Sequence, residues 1–223
     1  MKQEDSPTTK SKRGRPRSEE NSQVVQKLMD TTELLLRTYN HINLTERRIS
    51  EKSGVDNKMI RYYFEDKDGL IFAIIVRYCD NVALRLKELD RLDFTSISIT
   101  RQIIKILVEA IYEKPWISRI VASEFSRSHS PVQAYFLKKY GPHGVSLGRI
   151  REIIEKLIDC GVYSLGADVD RAVLAIIFLL SAPAMLAPIS GSINTELNEF
   201  KSDSWIDYIS EIFDQKLRPD HSK

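Results

Sequence analysis

Apolar residues recur at three- and four-residue intervals from about residue 22 onward, and no segment alternates with period two. The pattern predicts an all-α protein. A first helix spans 22 to 39, with Val25, Leu28, Met29, Thr32, Leu35, Leu36 and Tyr39 on one face. Two short helices follow within 45 to 63, then a long connecting helix from Lys67 to about Leu89, with a break at Asp93 to Ser98. Ile99, Ile103, Ile106, Leu107, Ala110 and Ile111 mark the next face, which ends near Lys114. Pro115 suits the first turn of a helix carrying Trp116, Ile120, Val121 and Phe125. Another helix starts after Ser130-Pro131 and is expected to run, bent around Gly141-Pro142 and Gly144, to Ile158, with Gly161 as its stop. Asp168 opens an apolar helix, and a last amphipathic one runs from about Leu197 to Leu217 with Trp205, Ile206, Ile209, Ile212 and Phe213 along one side.

The densest local signal is residues 45 to 63, two short helices broken at Gly54, which is the layout of a DNA-reading helix-turn-helix. Ser50 is small where the helices cross, Gly54 tolerates positive φ after a helix end, and Ile49, Val55 and Ile60 supply an apolar centre. Asp56 is placed to cap the second helix, which then exposes Asn57, Lys58, Met59, Arg61, Tyr62 and Tyr63 toward base edges or phosphates.

Thr45, Ile49-Ser50-Glu51, Gly54-Val55, Tyr62-Tyr63-Phe64 and Lys67-Asp68-Gly69-Leu70 together resemble the TetR-like family of bacterial transcriptional repressors over about residues 22 to 75. Two positions depart from that pattern. Arg61 stands where a phosphate-contacting tyrosine is common, and arginine keeps that role. Asp56 stands where serine is usual, and its carboxylate is compatible with DNA when it caps the helix. The resemblance implies that Thr45, Arg47 and Lys67 join the exposed residues of the second helix at DNA. It also implies that helices 168 to 187 and 200 to 217 pair with a second subunit as a four-helix bundle. A ligand cavity is implied inside the body, for which Tyr78, Tyr112, Trp116, Phe125, Tyr135, Phe136 and Phe178 are candidate walls, each of them also an ordinary core residue by its spacing. The residues give dimerisation separate support: a small body has little room to hide both an all-apolar helix and a broad aromatic-aliphatic stripe.

A net charge of only +2 over 223 residues does not announce nucleic acid, so local concentration decides. Lys and Arg gather at 10 to 17, at Arg47 and Arg48, and at Lys58, Arg61 and Lys67. In Arg13-Gly-Arg-Pro-Arg17 a Gly-Arg-Pro core lies between basic residues, a pattern that resembles an AT-hook. Arg13, Arg15 and Arg17 either enter an A·T-rich minor groove or form a loose electrostatic arm. Cys79 and Cys160 have no metal-ligand spacing and read as reduced core or near-core thiols.

Residues 172 to 189 are uncharged and long enough to suggest a membrane span, but Pro183, Pro188 and the polar exit at Gly191 to Asn194 argue for a helix buried between subunits. The polar, charged first twenty residues carry no signal-peptide pattern, which together with the thiols predicts a cytoplasmic protein. His41, His129, His143 and His221 are scattered without ligand or base partners, and no phosphate loop or nucleophile elbow occurs, so neither an enzyme, a metal site nor a cofactor is expected.

The expected organisation is a disordered basic arm over 1–20, a helix-turn-helix DNA-binding domain over 21–66, and a helical regulatory and dimerisation domain over 67–223. The expected function is sequence-specific transcriptional regulation. A homodimer would repress at a palindromic double-stranded operator and be released by a small-molecule effector. A nucleoid or cell-division partner of the same fold, without ligand-controlled repression, is the alternative, and an integral membrane protein a distant third.

Overall fold

Helices begin in this chain where a short polar side chain takes up free backbone N–H groups, and that rule sets out most of the architecture. The computed structural model describes residues 17–95, 98–141, 145–164, 166–186 and 199–217. Among these residues there are ten α-helices and no strand: α1 Arg17–Thr38, α2 Glu46–Ser53, α3 Asn57–Phe64, α4 Lys67–Lys87, α5 Ser98–Glu113, α6 Pro115–Ser126, α7 Pro131–Tyr140, α8 Val145–Asp159, α9 Val169–Leu186 and α10 Asp203–Leu217. Short 3-10 turns at His41–Asn43 and Glu88–Arg91 follow α1 and α4. Thr45 Oγ1 accepts from Arg48 N at 3.2 Å, Asp66 Oδ1 from Gly69 N at 2.7 Å, and Ser130 Oγ from Gln133 N at 3.0 Å, so α2, α4 and α7 each start on a satisfied cap.

Two apolar cores share the molecule. The first gathers Leu28, Leu35 and Leu36 of α1, Ile49 of α2, Ile60 of α3 and Leu70, Ile71, Ile74 and Ile75 of α4, and it is completed by Trp116, Ile117 and Ile120 of α6 and Val132 of α7. Cutting the chain at residue 66 therefore divides sequence segments but not cores, because α6 and α7 reach back into the head. The second core lies in the body, where α5, α8, α9 and α10 surround Ile103, Ile104, Leu107, Ile150, Ile153, Leu157, Ile176 and Phe213. Helix α4 runs between them, with Val82 and Leu86 in the body core at its far end. Ion pairs lock α4 to the head: Arg77 reaches Asp30 at 2.9 Å and Glu33 at 2.8 Å, and Lys114 reaches the same Glu33 at 2.6 Å.

Several expectations need correction. Helix α1 begins at Arg17, five residues before the expected start, because the polar run 17 to 21 carries no apolar periodicity by which to read it. The expected bent helix from 131 to 158 is two helices: α7 ends at Gly141, whose φ of +66° takes the chain out of the helix, and α8 restarts at Val145. Helix α10 starts at Asp203 rather than 197. Helix α9, Val169–Leu186, lies within the expected 168 to 187 and carries Pro183 inside it. Cys79 is buried as expected, whereas Cys160 is exposed at the end of α8.

The largest correction concerns α10. Its apolar stripe, Ile206, Ile209, Phe213 and Leu217, is buried within the same chain. Helix α5 receives it, and Arg101 clamps the pair through Asp207 at 2.6 Å and Asp203 at 2.7 Å. Helix α9 leaves Leu174, Phe178 and Leu179 exposed together while Val173, Ile176 and Leu180 face inward, and Tyr208 of α10 is exposed as well. No helix among the described residues is long and apolar enough to cross a membrane.

Candidate nucleic-acid interface

Helix α3 is held by one face and free on the other. Ile60 is fully buried, Phe64 and Tyr63 are half-buried, and the Tyr63 hydroxyl donates to Asn21 Oδ1 at 2.7 Å, which ties α3 to the start of α1. On the opposite side Asn57, Lys58, Met59, Arg61 and Tyr62 are exposed, Tyr62 at 73%. Eight residues of helix extend about 12 Å, which matches the width of a B-DNA major groove.

The turn that presents α3 is built from backbone geometry and two hydroxyls. Gly54 adopts φ +66° and ψ 20°, the left-handed cap that an L side chain takes only with strain, and its N–H bonds Ser50 O. Ser50 is more than a small residue at a crossing: its Oγ donates to Val55 O at 2.7 Å, and Ser53 Oγ accepts from Val55 N at 3.2 Å. Asp56 Oδ1 accepts from Lys58 N at 2.8 Å, so the carboxylate is engaged at the positive end of α3. Close approach also fixes the α3–α4 junction, since a Cβ on Gly69 would sit 1.9 Å from Phe64 O.

Charges on this surface are partly committed within the protein. Arg61 is steered by Glu46 at 3.3 Å, and Arg47 by Glu51 at 2.8 Å, a contact that raises the Arg47 pKa. Lys67 is half-buried, donating to His41 O at 3.1 Å and pairing with Asp68 at 3.5 Å. Arg48 lies over the Tyr39 ring at 4.4 Å. Lys58 has no ion-pair partner among the described residues, and with Tyr62 one helical turn on it forms the least committed part of the face. Thr45 is exposed as well as capping. Arg13 and Arg15 lie outside the described residues, as does the Arg17 side chain, although its backbone opens α1.

The six aromatic cavity candidates whose side chains are described do not come together. Tyr112 is buried in the body core, its hydroxyl 3.4 Å from Leu180 O, and burial pushes that phenol up, as it does for half-buried Tyr78. Trp116 and Phe136 belong to the head core. Tyr135 stacks on Phe72 and donates to Glu65 Oε2 at 2.6 Å, a bond that pushes its phenol up to about 12. The Phe125 side chain lies outside the described residues. Phe178 is 62% exposed and cannot wall an internal cavity, because the inward face of α9 is already taken by its β-branched and leucine neighbours.

One polar cluster was not legible in the sequence. His41, in the turn before α2, places Nε2 2.7 Å from Glu124 Oε1 in α6, and Ser130 donates to the other carboxylate oxygen. Arg127 reaches Glu124 at 3.3 Å. Burial alone would raise the Glu124 carboxyl, but the hydrogen bonds from Ser130 and His41, with the charge of Arg127, outweigh it and hold the pKa below its ordinary value.

No protein-family profile and no curated protein sequence matches this chain. Solved structures do. The fatty acid degradation regulator FadR from Bacillus halodurans superposes with a TM-score of 0.65 at 13% identity, over 86% of this chain and 99% of that one. FadR from Bacillus subtilis, solved in complex with stearoyl-CoA, gives 0.68 at 13% identity over 86% and 99%. A bacterial regulatory protein of the tetR family from Rhodococcus RHA1 gives 0.65 at 11% identity over 88% and 98%. The similarity takes in nearly the whole length of those molecules, and the chain has the fold of the TetR-like transcriptional regulators.

Proposed function

We propose that this protein is a sequence-specific DNA-binding transcriptional regulator, a repressor that grips a pseudo-palindromic operator as a homodimer and lets go when a small molecule binds. The observation that carries the reading is α3: a short helix anchored through Ile60 and Tyr63 that turns Lys58, Arg61 and Tyr62 outward. A helix so held enters a groove with its side chains already positioned, and Arg61, Arg47 and Thr45 lie where phosphates flank it.

Dimerisation rests on α9, whose outer face would be covered by the same face of a second chain. Helix α4 is the lever between body and head, since its ends sit in different cores. An effector that binds one spacing of the two heads better shifts the population toward it by its differential affinity. Similarity to a regulator solved with stearoyl-CoA supports control by a small molecule.

Binding to a pool of genomic fragments tests this proposal. A repressor enriches one or a few inverted repeats, whereas a nucleoid partner of the same fold occupies many sites. Equal retention of all fragments contradicts sequence-specific regulation.

A further inference from the structure

A cleft of about 500 Å³ opens where the head meets α6, between the end of α1 with its following turn and the face of α6. Its lining includes Leu36, Trp116 and Ile120, and these apolar side chains are joined by Arg37, Arg119 and Ser123. No acid lines it. Arg119 is half-buried and makes no hydrogen bond or ion pair among the described residues. Burial lowers its pKa, and a guanidinium nevertheless stays charged, so the group is partly desolvated without a counter-ion. Arginines of α4 and of the end of α6 are paired by contrast: Arg77 with Asp30 and Glu33, Arg85 with Glu113, and Arg127 with Glu124. Arg37 itself is bound only loosely, 3.8 Å from Glu33.

We propose that this cleft is a binding site for a small organic anion, a carboxylate or sulfonate with an apolar body, whose acidic group pairs with Arg119 and whose body lies on Trp116 and Ile120. The volume suits a molecule of that class, and a bidentate Arg119 contact supplies the charge the cleft lacks. The site lies at the seam that His41 and Glu124 close, so an occupant presses on the contact that orients the head. It deepens the proposed regulatory function, on which its role as an effector site rests, by naming the class of effector and its place.

Anilinonaphthalene sulfonate is a suitable probe, being an aromatic anion that fluoresces when bound on an apolar surface. Full-length protein is titrated with the dye alongside Arg119→Gln, which removes the cation, and Ser123→Phe, which fills the cleft and leaves Arg119 in place. The expected result is saturable binding to the wild type, with excitation transfer from Trp116 that persists in Trp205→Phe, and an affinity loss of about ten-fold or more in both cleft variants. Undiminished binding to either variant overturns the proposal, since the dye would then sit elsewhere, for instance on the exposed α9 face. Duplex binding measured on the same samples without dye separates the two readings. Arg119→Gln should retain it; if Arg119→Gln weakens duplex binding but leaves dye binding intact, the guanidinium serves a phosphate and the cleft proposal falls. Absence of duplex binding by the wild type bears on the regulator reading and not on the cleft.

Discussion

His41 and Glu124 meet 2.7 Å apart, both buried, and they join the turn that precedes the helix-turn-helix to a helix of the body 83 residues away. The carboxylate accepts from His41 and Ser130 at once and faces Arg127, so every oxygen has a partner. A hydrophobic contact at this place would tolerate sliding. A hydrogen-bonded carboxylate does not, and the orientation of the head on the body is correspondingly discrete.

Removing the acceptor exposes its worth. Glu124→Ala leaves the His41 Nε2 buried without its partner and the Ser130 hydroxyl without its acceptor, although Ser130 still caps α7, and is expected to cost about 2 to 5 kcal/mol in urea unfolding. Because the folded-state pKa of Glu124 is depressed, its contribution is present at neutral pH and is lost as pH falls through that lowered value. Glu124→Gln should flatten the acid side of the stability profile. An unchanged profile contradicts the assignment.

Gly69 tests the junction between α3 and α4. An added methyl would collide with the Phe64 carbonyl, a backbone atom that cannot swing aside. Gly69→Ala is expected to destabilise by roughly 1 to 3 kcal/mol and to weaken duplex binding by displacing α3. Thermal unfolding and anisotropy titration check both parts, and full affinity in this variant would show that α3 is not held as described.

Contacts of different type on α3 should give different signatures. Arg61→Ala is expected to weaken binding to all duplexes and to reduce the salt slope by about one unit. Lys58→Ala and Tyr62→Ala should change base preference, by roughly 1 to 3 kcal/mol at the position read. Affinity titrations over a salt series and a set of single-base operator variants distinguish them, and the reverse assignment of effects would overturn the geometry.

The two C-terminal helices should respond differently to the same change. Leu174→Glu with Phe178→Glu adds charge to an exposed face and is expected to give folded monomers in sedimentation equilibrium. Ile209→Glu puts a charge into the chain's own core and should unfold the body instead. A dimer that survives the α9 double variant rules out α9 as its interface.

Much of this was legible in the sequence because it depends on local chemistry. Thr45, Gly54, Asp56 and Asp66 mark helix ends through bonds to residues two to four positions away, and the α3 face follows from helical spacing around Ile60. What escaped depends on which helices become neighbours. The stripe on α10 had to be buried somewhere, but periodicity does not say whether α5 or a second chain covers it. By spacing the aromatic residues of the body are equally candidate cavity walls and core residues, and only the packing of their helices places Trp116 in the head core and Phe178 outside. His41 and Glu124 carry no motif at all, being partners only through the docking of α6 on the head.

Selection from random duplexes by the purified full-length protein tests the central claim most directly. The account predicts an enriched inverted repeat whose half-site centres lie about 34 Å or a whole multiple apart, bound by two chains, with Lys58→Ala or Tyr62→Ala altering the enriched bases. A chain that stays monomeric and enriches no sequence over its general affinity for polyanions would contradict it.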